Sequence, residues 1–272
     1  MPGINRVERV IHCMKQVALY KNGECLSYAE YGNKNGFPIL IQHGLIASIK
    51  DYDLFDRLIQ LGARLICIAR PGYGASSPYL LQNMAEWAEI VTVLIDELQL
   101  SQFDVLGMSS GAPYSYALGY RFPQKVRSIY IFSGIPALYD EKIASCWPHE
   151  IKKNADITEM QSLAKELFFP GLSEEDLKKN DIKDSMMNDC FGIAQDLRIR
   201  CMDWGFHLSD VIASVFMRHS RYDQGVPVVT AELTARMLPN CSFEAIENDV
   251  HFSVEALDDF IVTVIAKQSL LS

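Results

Sequence analysis

The sequence predicts an α/β fold: a mostly parallel, doubly wound sheet with an inserted helical cap. Three observations point there. Short runs that are apolar throughout recur along the chain, as in parallel strands covered on both faces. Stretches with helical spacing of apolar residues lie between them. The alternation stops after Gly134 and resumes near residue 209, leaving a helical, polar stretch between.

Each element follows from local pattern. Runs at 16–20 and 26–31 flank Lys21-Asn22-Gly23-Glu24, and Asn-Gly is a hairpin signal, so an antiparallel pair is expected. Pro38-Ile39-Leu40-Ile41-Gln42 is the first parallel candidate and ends at His43-Gly44. A helix is expected over 52–61. The run 64–69 ends at Arg70-Pro71-Gly72-Tyr73-Gly74. Over 84–98, Trp87, Ile90, Val91, Leu94, Ile95 and Leu98 form one apolar stripe of a helix. Val105-Leu106 is the next strand. It leads into Gly107-Met108-Ser109-Ser110-Gly111 and a helical run at 112–120. The run 128–132 ends at Ser133-Gly134.

The inserted stretch offers helices at 159–169 and 173–180. The second opens on Ser173-Glu174-Glu175-Asp176, a serine cap with acids in the first turn. Strands at 213–217 and 242–246 and a helix at 254–267 complete the chain. These boundaries give a core domain of residues 1–134 and 209–272 and a cap of residues 135–208.

Composition narrows the function. A chain of 272 residues, 49% hydrophobic and 22% charged, can bury a large core. Its net charge of −9 argues against a general attraction to nucleic acid or anionic membranes. Seven scattered cysteines without Cys-x-x-Cys spacing fit neither a disulfide framework nor a zinc site and favour a reducing compartment. Residues 1–16 lack the apolar core of a signal peptide, and no run approaches membrane-spanning length. The expectation is a cytoplasmic protein, monomer or homodimer, acting on a small molecule without metal or cofactor.

The reactive groups fall at strand ends, where open α/β sheets collect function. Ser109 sits on a Gly-x-Ser-x-Gly turn between a strand and a helix, which would hold its hydroxyl out. Asp223 follows the 213–217 strand and His251 the 242–246 strand. A serine hydroxyl needs a histidine to take its proton, and the histidine needs a carboxylate to fix its tautomer. Ser109, Asp223 and His251 supply these groups. Asp203 and Asp210 precede the strand and are weaker candidates for the acid. The remaining histidines are His12 in the N-terminal segment, His43 in an early turn, His149 and His207 in or beside the cap, and His219 ahead of Asp223. Oxyanion donors are expected from the backbone N–H groups of Ser110 and Leu45. Gly72-Tyr73-Gly74 lacks the Lys-Ser/Thr of a phosphate loop and the third glycine of a dinucleotide fingerprint.

On these residues the chain resembles the α/β-hydrolase-fold serine hydrolases of the esterase, haloperoxidase-like and iminopeptidase-like group. The resemblance rests on His43-Gly44, Arg70-Pro71-Gly72-Tyr73-Gly74-Ala75-Ser76, the Ser109 turn, Tyr222-Asp223-Gln224-Gly225-Val226-Pro227 and His251. It implies a triad of Ser109, Asp223 and His251, with Leu45 and Ser110 as oxyanion donors. Relatives that dehalogenate or open epoxides carry aspartate at the elbow. A serine there implies acyl transfer or carbon–carbon bond hydrolysis. Val250 stands where the family usually has glycine, and Arg70-Pro71-Gly72 replaces a commoner Asp-containing turn.

A carboxylesterase on small esters is the leading expectation. A carbon–carbon bond hydrolase, a proline iminopeptidase-like amidase and a non-catalytic ligand receptor stay open. Trp147, Leu167, Phe168, Phe169 and Trp204 either line the pocket or pack the cap onto the sheet domain. Glu150, Glu159, Glu166, Glu174 and Glu175 could meet a substrate amine or simply form solvated helix faces.

Overall fold

The computed structural model describes residues 13–18, 23–152 and 155–270. His12 and the Lys21-Asn22 half of the expected hairpin turn lie outside the described residues.

The strands are β1 (Cys13–Ala18), β2 (Cys25–Gly32), β3 (Pro38–Gln42), β4 (Arg64–Ile68), β5 (Phe103–Met108), β6 (Val126–Phe132), β7 (Ser214–Ser220) and β8 (Cys241–Ile246). They form one sheet in the order β1-β2-β4-β3-β5-β6-β7-β8. β1 pairs antiparallel with β2, and β2 antiparallel with β4. Every pairing from β4 through β3 to β8 is parallel. The expected α/β architecture is therefore present.

The apolar runs are continuous because both faces of the sheet are buried. Along β3, Leu40 enters one core while Ile39 and Ile41 enter the other. Along β5, Val105 takes the first face and Leu106 and Met108 the second. α2 (Met84–Glu97) and α3 (Ala112–Arg121) cover the first face, with Trp87, Val91 and Ala117 packed into it. α1 (Asp56–Gln60) and the C-terminal α8 (Val254–Phe260) cover the second through Leu58, Leu257 and Phe260. α8 runs on through Leu270 with wider, π-type turns. α7 (Val228–Ala235) precedes β8.

Between β6 and β7 the chain leaves the sheet and forms α4 (Glu141–Ala144), α5 (Ile157–Phe168) and α6 (Asn180–Ile199). The segment 173–180 differs from its expected helix. Ser173 Oγ accepts the Asp176 N–H at 3.1 Å, and Asp176 Oδ2 accepts from the Ser173 hydroxyl at 2.7 Å. This reciprocal cap closes a single turn, and Lys179 then turns extended and starts α6. α6 is itself broken. Asn188, Asp189 and Cys190 take left-handed conformations with φ of 52°, 62° and 63°. Such residues cost about 1–2 kcal/mol each. The break is tied down: Asn188 Nδ2 donates to the Gly72 carbonyl, and Gln161 Nε2 donates to the Asn188 and Asp189 carbonyls. No helix among the described residues is long and apolar enough to cross a membrane.

Candidate active site

β5 delivers Ser109 to the sheet's carboxyl edge. Ser109 has φ +48°, a left-handed conformation that a serine adopts only under constraint. Two glycines make the turn possible. A Cβ on Gly107 would overlap Ser115 Oγ, and one on Gly111 would drive into the Gln42 backbone carbonyl. α3 then starts with Pro113 in its first turn, where a missing N–H costs nothing. The Ile135 N–H donates to the Ser109 carbonyl at 3.0 Å and pins the turn from β6's exit.

Ser109, His251 and Asp223 are brought together. His251 Nε2 lies 2.8 Å from Ser109 Oγ, and His251 Nδ1 lies 2.6 Å from Asp223 Oδ2. A carboxylate only accepts, so Nδ1 carries the hydrogen and Nε2 is free to accept from the serine hydroxyl. The other Asp223 oxygen accepts the N–H groups of Gly225 and Val226, both at 2.9 Å. Burial pushes the Asp223 carboxyl up, but the bonds from His251 and Val226 outweigh it and hold the group below its ordinary value. Asp223 is buried, whereas the His251 side chain is 34% exposed and faces the cavity. Val250 is exposed and forms no part of this chain of bonds.

The loop after β3 lies against Ser109. A Cβ on Gly44 would sit 3.9 Å from Ser109 Cβ. Three consecutive carbonyls of this loop are held from behind. Arg70 Nη1 donates to the His43 carbonyl at 2.6 Å and Nη2 to the Gly44 carbonyl at 2.9 Å. The Tyr73 hydroxyl lies 2.8 Å from the Leu45 carbonyl. In a trans peptide the N–H points opposite its carbonyl, so clamping the Gly44 oxygen turns the Leu45 N–H the other way. Leu45 and Ser110 both line the cavity that holds Ser109. Ser110 stands at the start of a helix, where N–H groups lack intrahelical partners.

The arginine is neutralised from α6. Asp196 takes Arg70 Nη2 at 2.5 Å and Nε at 3.2 Å and also accepts the Tyr114 hydroxyl at 2.6 Å. Gly192 lets Tyr73 pack against the same helix, since any Cβ there would meet the ring. Sequence reasoning found the Arg70 to Gly74 motif but not Asp196, which lies in a polar helix without a distinguishing signal. His219, set aside as a base because it precedes Asp223, lies beside that carboxylate. That ring is buried, donates from Nε2 to the Val226 carbonyl at 2.7 Å, and lies 3.6 Å from Asp223 Oδ2.

The other histidines sit apart from the hydroxyl. His43 is buried, donates from Nδ1 to the Gly44 carbonyl at 2.8 Å and accepts the Arg70 N–H at 3.3 Å. His149 bonds the Gly225 carbonyl, and His207 is exposed.

A cavity of about 1110 Å³ opens over Ser109. Trp147, Leu167 and Phe168 line it as expected for pocket walls. Trp204 does not: its ring is buried against Tyr139 and Tyr116, with centroids 4.9 and 6.2 Å away. Phe169 packs at the edge of the core instead. Of the five glutamates, Glu150 borders the cavity and Glu159 pairs with Lys152, while Glu166, Glu174 and Glu175 face solvent. No group of three histidine, cysteine or acidic side chains among the described residues is placed to hold a metal ion.

The model of a family described as alpha/beta hydrolase fold matches residues 38–255. An uncharacterized hydrolase, YcgS, from Bacillus subtilis (strain 168) is 28% identical over 114 residues, 42% of this chain and 39% of that protein. The chain thus matches about two fifths of that relative's length. An esterase from Exiguobacterium antarcticum superposes with a TM-score of 0.73 at 18% identity, covering 93% of this chain and 98% of that one. A bromoperoxidase from Bacillus anthracis superposes with a TM-score of 0.69 at 17% identity, covering 93% and 99%. At these identities the likeness is one of fold.

Proposed function

Since this chain belongs to the alpha/beta hydrolase fold family, we propose that it is a serine hydrolase, and that its substrate is a small carboxylic ester. The observation that carries the reading is the unbroken chain of bonds from Ser109 Oγ through His251 to Asp223, at 2.8 and 2.6 Å.

In this mechanism Ser109 attacks the ester carbonyl while His251 Nε2 takes the hydroxyl proton. Asp223 holds the imidazole in its reactive tautomer and stabilises the imidazolium. The Leu45 and Ser110 N–H groups receive the oxyanion, each such donor contributing about 3 kcal/mol to lowering the barrier. His251 then gives its proton to the leaving alcohol. Water, deprotonated by the same imidazole, cleaves the acyl-enzyme and restores Ser109. Residues 135–208 act as a cap that roofs the cavity and selects the substrate.

A fluorophosphonate probe tests the assignment. It is expected to label the wild-type protein and to leave Ser109→Ala unlabelled. Equal labelling of both would refute Ser109 as the nucleophile.

A further inference from the structure

Two polar groups in the wall of the Ser109 cavity are left without acceptors. The Trp147 indole Nε1 and the Arg200 Nε are both enclosed, and neither has a hydrogen-bond partner among the described residues. Both residues line the cavity that also holds Ser109 and His251. They are neighbours: the Arg200 guanidinium carbon lies 5.5 Å from the centre of the Trp147 ring. The site is built rather than floppy. Arg200 is the C-cap of α6, and its carbonyl accepts the Trp204 indole N–H at 3.2 Å. Trp147 is braced by His149, ring to ring at 5.3 Å.

Among the described residues no carboxylate balances this cation: none lies within ion-pair distance of Arg200. Asp196, one turn earlier, is already committed to Arg70. Lys152, also on the cavity wall, is paired with Glu159. Burial pulls the Arg200 pKa below the ordinary arginine value, with weaker opposing contributions from Cys201 and Asp196. The guanidinium meets the Cys201 side chain, but its Nε stays without an acceptor, and an enclosed cation without a counter-charge is costly unless something binds it.

We infer that Trp147 and Arg200 form a subsite for a carboxylate carried by the substrate at a position remote from the scissile ester. The inference rests on the serine-hydrolase reading only for the word ester; the subsite itself is read from its own donors. A cation without a carboxylate partner among the described residues calls for one negative charge. A guanidinium fork beside an indole N–H matches the coplanar oxygens of a carboxylate. Ile135, Leu197 and Val226, among the residues that line the same cavity, are apolar and would take the connecting carbon chain.

Matched pairs of substrates test it. One pair is the 4-nitrophenyl half-ester of adipic acid and its methyl-capped diester, which place the charge on the acyl side. The other is 4-acetoxybenzoic acid and its methyl ester, which place it on the alcohol side. Wild type is expected to favour the free acid in at least one pair. Arg200→Met should lower kcat/KM for that acid roughly ten- to hundredfold more than for its capped partner, the loss of a charged hydrogen bond. Arg200→Lys should restore part of the preference, and Trp147→Phe should weaken it several-fold. Thermal melting of each variant separates misfolding from lost recognition. A wild-type preference for the capped ester in both pairs, or an equal loss on acid and capped ester in Arg200→Met, would overturn the subsite.

Calorimetry with adipate on Ser109→Ala keeps the two readings apart. If no ester is turned over but adipate binding depends on Arg200, the subsite stands and the esterase reading falls. If esters are cleaved while adipate binding and acid preference ignore Arg200, the subsite falls alone.

Discussion

Arg70 and Asp196 form an ion pair in which the side chains are 0% and 2% exposed, and the same arginine grips the carbonyls of His43 and Gly44. The pair therefore joins a helix outside the sheet to the loop facing Ser109. Its geometry satisfies nearly every donor on the guanidinium, which is the condition for a buried pair to be tolerated.

Breaking that pair should be expensive. Asp196→Asn leaves a buried cation without its counter-charge and is expected to cost about 3–5 kcal/mol in urea unfolding. Arg70→Met frees the His43 carbonyl and leaves the Gly44 carbonyl to His43 Nδ1 alone, so kcat should fall more than KM rises in the variant that still folds. A folded Arg70→Met with wild-type kcat would mean the loop keeps its shape unaided.

Acidification should weaken the fold in two stages. Burial, helped by the Arg70 charge, holds His43 well below 6.5, and burial holds His219 below the same value against the pull of Val226 and Asp223. The unfolded chain binds those protons near 6.5 and the folded one does not. Stability is thus fully present above that pH and declines as pH falls below it towards the folded values. Asp223, held below 3.8, adds a second loss as pH falls through its folded value. Urea midpoints at about pH 7.5 and about pH 5.5 should show the first stage, and His219→Gln should flatten it. A midpoint that rises on acidification would contradict this.

Asp223→Asn should separate structure from chemistry. The amide oxygen can still accept from Gly225 and Val226, so the melting temperature should shift little. The other end can no longer accept from His251 Nδ1, and the imidazole is left in the wrong tautomer. The turnover rate with a nitrophenyl ester should drop on the order of 10⁴-fold. A drop of less than about tenfold would remove Asp223 from the proton relay.

Gly111→Ala should fail by backbone collision. Its Cβ meets the Gln42 carbonyl oxygen and carbon and the His43 carbonyl oxygen, none of which is a flexible side chain. The expected cost is about 3 kcal/mol or more, read as lost soluble yield and a lowered urea midpoint. Gly23→Ala, at a glycine with open space around it, is the comparison that should show only the cost of its φ of +76°.

The parts of this molecule legible in sequence are those governed by neighbours in the chain. The apolar runs of β3, β4 and β5 and the stripe of α2 follow from periodicity, and Gly107 to Gly111 follows from the needs of a tight turn. The 173–180 segment misled because a good cap promises a helix that only the following residues can extend. Trp204 is open in the sequence between wall and packing residue because an aromatic residue in a helical stretch has two fates, and only packing against Tyr116 and Tyr139 decides between them. Asp196 and Arg200 are illegible for a different reason: their partners, Arg70 and Trp147, come from distant segments.

Arg70 and Asp196 stand 126 positions apart, and Tyr73 and Tyr114 complete the same knot. In hereditary terms the four positions are one trait. A recombination that exchanges the stretch between β6 and β7 for another protein's would bring a new residue 196 to an old residue 70. Such a chimera would inherit an orphan charge in its interior. Any lineage that swaps this stretch must therefore alter the arginine as well, or keep the last turns of α6.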